Sequence, residues 1–205
     1  MTDLTFDVLR PDYESDWSKS AQPNFLTQPH ETLKEAAAIT EPAARARFAE
    51  VERRTGVPWF VSGIIITREA GSPPNFHAWM HNGDPMRDHL GHARQTVNVP
   101  RGRPPNPDCT WEDGAVDAYE VEHLVGKKDW TPAYVAWLLE KFNGFGYRVQ
   151  HNMASPYVWG ATIIQQRGKY THDRVFDPTV MDTQVGGMAL LAALMRIAPD
   201  EVKFT

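Results

Sequence analysis

Apolar residues recur at helical spacing along most of the chain, and polar punctuation divides them into a short series of predicted elements. Thr40-Glu-Pro-Ala opens the first clear one: a capping residue, an acidic first turn, then Ala and Arg helix formers as far as Thr55, with Gly56 as the stop. Val57 to Glu69 is the most apolar run of the first half, with Trp59, Phe60, Val61 and Ile64 to Ile66. It has helix length and no polar face, which predicts a central buried helix; its β-branched triplet leaves a strand as the alternative. Gly71 and Ser-Pro-Pro after it end that element. Residues 72–109, rich in Gly, Pro, Asn, His and Asp, read as a long loop with a small β-hairpin around Thr96-Val-Asn-Val-Pro, and a loop of that length is usually functional or disordered.

Thr110-Trp-Glu-Asp starts a second helix in capping-box fashion, running to about Val125 before Gly126. Thr131-Pro-Ala starts a third, Tyr134 to Phe142, closed by Asn143-Gly144. Ser155-Pro156 starts a short fourth. Asp177-Pro178 begins the last, which carries the apolar stretch Val185 to Ile197 and, at Gly186-Gly187, a place where another helix can approach closely. Residues 1–30 show few periodic signals and are expected as an irregular arm on a single domain spanning 31–205. The fold expected is mainly α: a helical bundle around a buried central helix, with a small hairpin-and-loop lobe forming one side of a cleft.

Composition narrows the function. The 205 residues carry a net charge of −5, whereas nucleic-acid binders usually present a basic footprint, so no nucleic-acid partner is expected. No run approaches the roughly 20 apolar residues that span a bilayer, so no stable membrane insertion is expected either. The single cysteine, Cys109, rules out an internal disulfide framework and reads as an incidental thiol. The start, Met1-Thr-Asp-Leu-Thr-Phe-Asp-Val, lacks the basic head and apolar core of a secretory signal, which predicts synthesis in the cytoplasm and action elsewhere only after release. His77, His81, His89 and His92 suggest zinc, but no HExxH or comparable spacing accompanies them, and they read as hydrogen-bonding groups. No metal or cofactor is expected.

The candidate chemistry lies at the end of the buried helix. Glu69 follows Ile64-Ile-Ile-Thr-Arg at its last turn. A helix C-terminus disfavours negative charge, and an apolar setting would raise the pKa of the carboxyl, as a general acid working near neutrality needs. The bland reading is a surface glutamate paired with Arg68. The loop that follows, His77-Ala-Trp-Met-His81-Asn82-Gly83-Asp84-Pro85, supplies imidazoles, an amide and a carboxylate. Glycosidic cleavage needs a protonated acid at the leaving oxygen and a second polar group that aligns water or stabilises positive charge. Asp84 is the best second carboxylate; Asn-Gly-Asp-Pro is equally a strong turn signal.

Several segments, in this order, resemble the bacterial and phage lysozyme family over about residues 55–195. They are Val57-Pro-Trp-Phe through Arg68-Glu-Ala-Gly71, His81-Asn-Gly-Asp-Pro-Met86, Val97-Asn-Val-Pro-Arg-Gly-Arg-Pro104, Thr110-Trp-Glu-Asp, Phe142-Asn-Gly-Phe-Gly-Tyr-Arg148, Ser155-Pro-Tyr-Val-Trp159 and Gly168-Lys-Tyr170. The resemblance implies a lysozyme-like, mostly helical peptidoglycan hydrolase of the endolysin kind, acting on glycan strands; separately, a monomer is expected. It places the catalytic glutamate at Glu69 and the His-Asn-Gly-Asp loop at His81 to Asp84. Two departures stand out. Arg87 to Gln95 resembles an insertion after the Gly-Asp-Pro loop. The Glu-x8-Asp-x5-Thr spacing of phage-type lysozymes is absent, because the ninth residue after Glu69 is Ala78. The second catalytic group is then Asp84, or water is held without a second carboxylate.

His81, Asn82, Tyr147, Arg148, Tyr157, Trp159, Lys169 and Tyr170 complete the candidate substrate contacts. The two glycines of Asn143-Gly-Phe-Gly-Tyr-Arg148 permit a turn that brings Tyr147 to a sugar or the acid, and Arg148 to a substrate carboxylate or to Glu69. Tyr157 and Trp159 offer flat faces for sugar rings, or are core. Lys169 lines a cleft or is a solvated surface charge. Two further readings stay open: a non-catalytic cell-wall binding module, and a lytic transglycosylase or chitinase on the same scaffold.

Overall fold

The computed structural model describes residues 3–172 and 175–205. Its contacts divide the chain into two compact units, Met1–Lys34 with Trp130–Thr205 (unit 1) and Glu35–Asp129 (unit 2). Both are mainly helical.

Unit 2 is built on the predicted apolar helix. This is α4 (Trp59–Ala70), in which every residue from Trp59 to Thr67 is buried. Packed on it are α3 (Pro42–Thr55) and the end of α2 (Pro29–Thr40). Ile39 and Phe48 crowd Gly63 so closely that an added Cβ there would strike the Ile39 side chain. Pro42 sits at the first position of α3, where its missing N–H costs nothing, and Gly56 closes the helix in the left-handed region at φ 76°. The α5 helix (Trp111–Val121) carries the predicted capping box: Thr110 accepts from the Asp113 N–H, and the Asp113 carboxylate accepts from that of Thr110. Arg47 forks onto Glu112, and Arg54 pairs with Asp113 at 2.9 Å, tying α3 to α5. The Tyr119 and Ser62 hydroxyls, 2.8 Å apart, join α5 to α4 inside the core.

In unit 1, α1 (Phe6–Ser18) packs on α6 (Pro132–Asn143), and α9 (Gly187–Ile197) on α6 and on the single turn α8 (Pro156–Trp159). Gly187 to Leu194 are all buried. The close approach expected at Gly186 is to Gly160, whose carbonyl accepts the Gly186 N–H at 2.9 Å; a Cβ on either glycine would meet backbone atoms. The remaining elements are α7 (Gly146–His151) and an antiparallel pair, β1 (Lys169–His172) and β2 (Val175–Asp177), with Tyr170 opposite Phe176.

Three sequence expectations are corrected. The arm over 1–30 holds a helix, α1, because Phe6, Leu9 and Tyr13 recur at helical spacing and Leu9 and Tyr13 are buried. The last helix begins at Gly187 rather than after Pro178. No strand forms around Thr96 to Pro100; the described two-stranded sheet is β1–β2. The Val97 and Asn98 N–H groups go to the Asp84 carboxylate instead of a partner strand, and Thr96 closes the loop through Arg103 and the Pro100 carbonyl.

Candidate active site around Glu69

Glu69 lies on the last turn of α4, half-buried, beyond the fully buried Ile64, Ile65 and Ile66. Gly71 then turns the chain at φ 91°. The chain returns as a tight turn: Asp84 and Trp79 are linked by the Trp79 N–H to the Asp84 carbonyl at 2.8 Å, and the Gly83 N–H reaches the Trp79 carbonyl at 2.9 Å. This turn lies directly on the end of α4. A Cβ at Gly83 would run into the Glu69 carbonyl oxygen, and its φ of 74° independently favours glycine. Of the predicted site residues, Glu69, His81, Asn82 and Asp84 are therefore brought together.

The underside of the turn rests on α5. Trp111 donates its indole N–H to the Ala78 carbonyl at 3.1 Å, and the Trp79 ring fills the space over Gly114, where a Cβ would collide with it. Trp79 in turn donates to the Arg94 carbonyl at 2.7 Å. His81 Nε2 lies 2.8 Å from Asp117 Oδ2, and the Arg103 guanidinium forks onto both Asp117 oxygens, with Nε at 2.9 Å. Burial pushes the His81 imidazole below its ordinary pKa, with Arg103 acting the same way against the pull of Asp117 and Glu122.

Asp84 is the knot between the turn and the following loop. Its Oδ2 accepts from the N–H groups of Val97 (2.8 Å) and Asn98 (2.9 Å) and from the Asn82 amide (3.1 Å); its Oδ1 accepts from the Asn98 amide (2.8 Å). Burial works to raise this carboxyl, but the four donors outweigh it and hold it below the usual carboxylate range. Asp84 is thus an ionised brace whose oxygens are already engaged. Asn82 also reaches the Val99 carbonyl at 3.3 Å and remains half-exposed at the turn's surface.

The other six predicted contacts belong to unit 1. Arg148 forks onto the buried Glu140, which also accepts from the Tyr13 hydroxyl, and its Nη1 reaches Asp12 at 2.9 Å. The guanidinium thus neutralises a buried acid of its own unit. Trp159, 1% exposed, and Tyr157, 6% exposed, are core and present no free ring face. Lys169 pairs with the buried Asp182 at 3.0 Å. The Tyr147 hydroxyl accepts the Tyr170 N–H at 3.1 Å, and the Tyr170 hydroxyl meets Gln150 and His151, in an aromatic cluster where His151 stacks on Phe176.

Sequence reasoning missed Asp117, Arg103, Asn98 and Glu140. Asp117 and Glu140 did leave a signal: each is an acid set on the apolar face of its helix, beside Ala118 and Leu139. Among the described residues no group of His, Cys, Asp and Glu is arranged to hold a metal, and no helix is long and apolar enough to cross a membrane. Set against known family models, curated proteins and solved structures, the chain matches none of them.

Proposed function

We propose that this chain is a lysozyme-like glycoside hydrolase that cleaves the glycan strands of peptidoglycan, with Glu69 as the general acid. The observation that carries the reading is the seat of Glu69: a half-exposed carboxyl at the C-terminal end of a helix buried along its length, with a polar turn fixed against it. The carbonyl end of a helix disfavours negative charge and so suits a residue that must meet the leaving oxygen with its proton on. The motifs shared with the lysozyme family support the same residue. Asn82, half-exposed at the turn's surface, is the sugar contact of this reading through the remaining lone pair of its carbonyl oxygen, since its amide already donates to Asp84 and Val99.

One observation favours a second chemistry on the same site. Both Asp84 oxygens are engaged by four donors, so the turn supplies no second carboxylate to the chemistry. That fits a lytic transglycosylase, in which a single residue serves as acid and then as base while the substrate's own hydroxyl attacks. The discriminating experiment is clearing of outer-membrane-permeabilised Gram-negative cells, with mass spectrometry of the released fragments, for wild type and Glu69→Gln. The variant should lose about 10²–10⁴-fold in rate, the worth of a general acid. Reducing-end products mark a hydrolase, and anhydro-muramic ends a transglycosylase. If wild type binds murein but never cleaves it, the chain is a wall-binding module and the enzyme reading fails.

A further inference from the structure

We infer that His81 is a positioning residue, locked by Asp117 and Arg103, that sets the 79–84 turn against Glu69. The reaction it serves is the one proposed above. Three residues of α5, Trp111, Gly114 and Asp117, lie along one face at successive turns, and each holds a different part of the turn: Trp111 the Ala78 carbonyl, Gly114 the Trp79 ring, Asp117 the His81 imidazole. The first two contacts fix where the turn begins. Only the third acts beyond Trp79, on the strand of chain that runs into Gly83 and so onto the Glu69 backbone.

The chemistry of the lock is directional. The His81 side chain is 1% exposed, too deep to touch a substrate. Its Nε2 faces a carboxylate that can only accept, so Nε2 carries the proton and Nδ1 is a bare acceptor. Asp117, itself nine-tenths buried, is tolerated as an anion there because the Arg103 fork covers both its oxygens. His81 Nδ1 has no partner, so a second proton on the ring would create a buried N–H with nothing to receive it. The groups facing the imidazole are Asp117, Arg103 and Glu122, and burial opposes its charging. The neutral arrangement is therefore complete above the ordinary histidine value near pH ~6.5 and is lost as the pH falls from there through the lowered value. The turn loosens in acid, and Glu69 loses its alignment with it.

The test compares His81→Gln with His81→Asn. A Gln amide N–H can stand where Nε2–H stood and reach Asp117; an Asn amide stops short. Glycan cleavage should be largely retained by H81Q, while H81N should lose about 10²-fold in kcat, the scale of an ångström misplacement, with KM unchanged. Both variants are to be melted alongside, so that only folded protein is compared. Equal losses with a raised KM in both would make His81 a sugar ligand and overturn the inference, as would full activity in H81N. A second arm needs no activity: nitrogen NMR of the wild-type imidazole should show the Nε2–H form between pH 7 and pH 8, carried by a slowly exchanging proton. An Nδ1–H form would overturn the lock even where cleavage stands. An intact lock in a protein that never cleaves would instead sink the enzyme reading and, with it, the role in positioning.

Discussion

Replacing Asp84 with Asn separates the two jobs a carboxylate in that turn can do. As a brace, Asp84 collects four donors from Val97, Asn98 and Asn82 at 2.8–3.1 Å and is 7% exposed. With its carbonyl in the place of Oδ2, an Asn keeps three of these as neutral bonds, each about half as strong as the charged one. Its amide then faces the Asn98 amide, donor against donor, and the fourth bond is lost. At about 1.5–3 kcal/mol per charged bond, and with the relief of no longer burying a charge set against the loss, the net cost comes to about 3 kcal/mol. For a chain of this length that is a fall of about 6–12 °C in Tm at neutral pH. The pH dependence carries the signature. The folded carboxyl titrates below its unfolded value of about 3.9, so its stabilisation is present above that pH and disappears as the pH falls through the lowered folded value. Melts of wild type and D84N between pH 3 and 8 should therefore differ by a constant amount above about pH 5 and converge in acid. Cleavage should fall along with the melting point. A D84N protein that melts like wild type but no longer cleaves would refute the brace and return Asp84 to the chemistry.

Two further perturbations test the frame around the site. Arg148→Ala strands Glu140, 1% exposed at its side chain, with only the Tyr13 hydroxyl; urea unfolding should show a loss of about 3–5 kcal/mol, and Arg148→Lys should recover only part because an ammonium cannot fork. A melt unaffected by R148A would mean the guanidinium is held in reserve for substrate. Thr110→Ala removes the cap of α5, the helix on which the turn rests, and should cost about 1 kcal/mol, or about 2–4 °C in Tm by calorimetry. No change there would show that packing of Trp111 alone fixes the start of α5.

The fold was legible where local chemistry declares an element's ends. Thr131 with Pro132 and Thr110 with Asp113 are start signals whose groups act within a few residues of each other, and α6 and α5 begin where those signals stand; Thr40, read as the cap of α3, instead ends α2, and α3 starts at Pro42 after Glu41. The buried helix α4 was legible from the length of its apolar run. Illegibility came from competing local signals. Pro11 inside α1 argues for a break, yet the helix continues through it, carried by the packing of Leu9 and Tyr13 and by Phe6 edge-on to Tyr134. Gly146 argues for a loop, yet it opens α7. The strands of β1–β2 show no clean alternation, since Lys169 and Tyr170 are half-buried and Thr171 and His172 exposed. The Thr-Val-Asn-Val run, which does alternate, gives the N–H groups of Val97 and Asn98 to a carboxylate instead.

The site divides along the same line, between what a residue needs and who supplies it. An acid among apolar neighbours on a helix face must find a cation or a donor, because an uncompensated buried charge is too costly to persist. Asp117 beside Ala118 and Glu140 after Leu139 therefore announce that a partner exists. Neither announces which. Asp117 is met by a histidine 36 residues before it and by Arg103; Glu140 is met by a tyrosine 127 residues away and by an arginine in the next helix. Arg148 shows the consequence: read locally, its glycine-flanked turn makes it a free hand for substrate, and only the distant acid shows it to be occupied. Asp84 repeats the case at shorter range, since Asn-Gly-Asp-Pro predicts a turn from its own residues, while the donors that saturate the carboxylate come from the loop after it. Glu69 differs in that its place, at the last turn of a dry helix, is legible in its own segment.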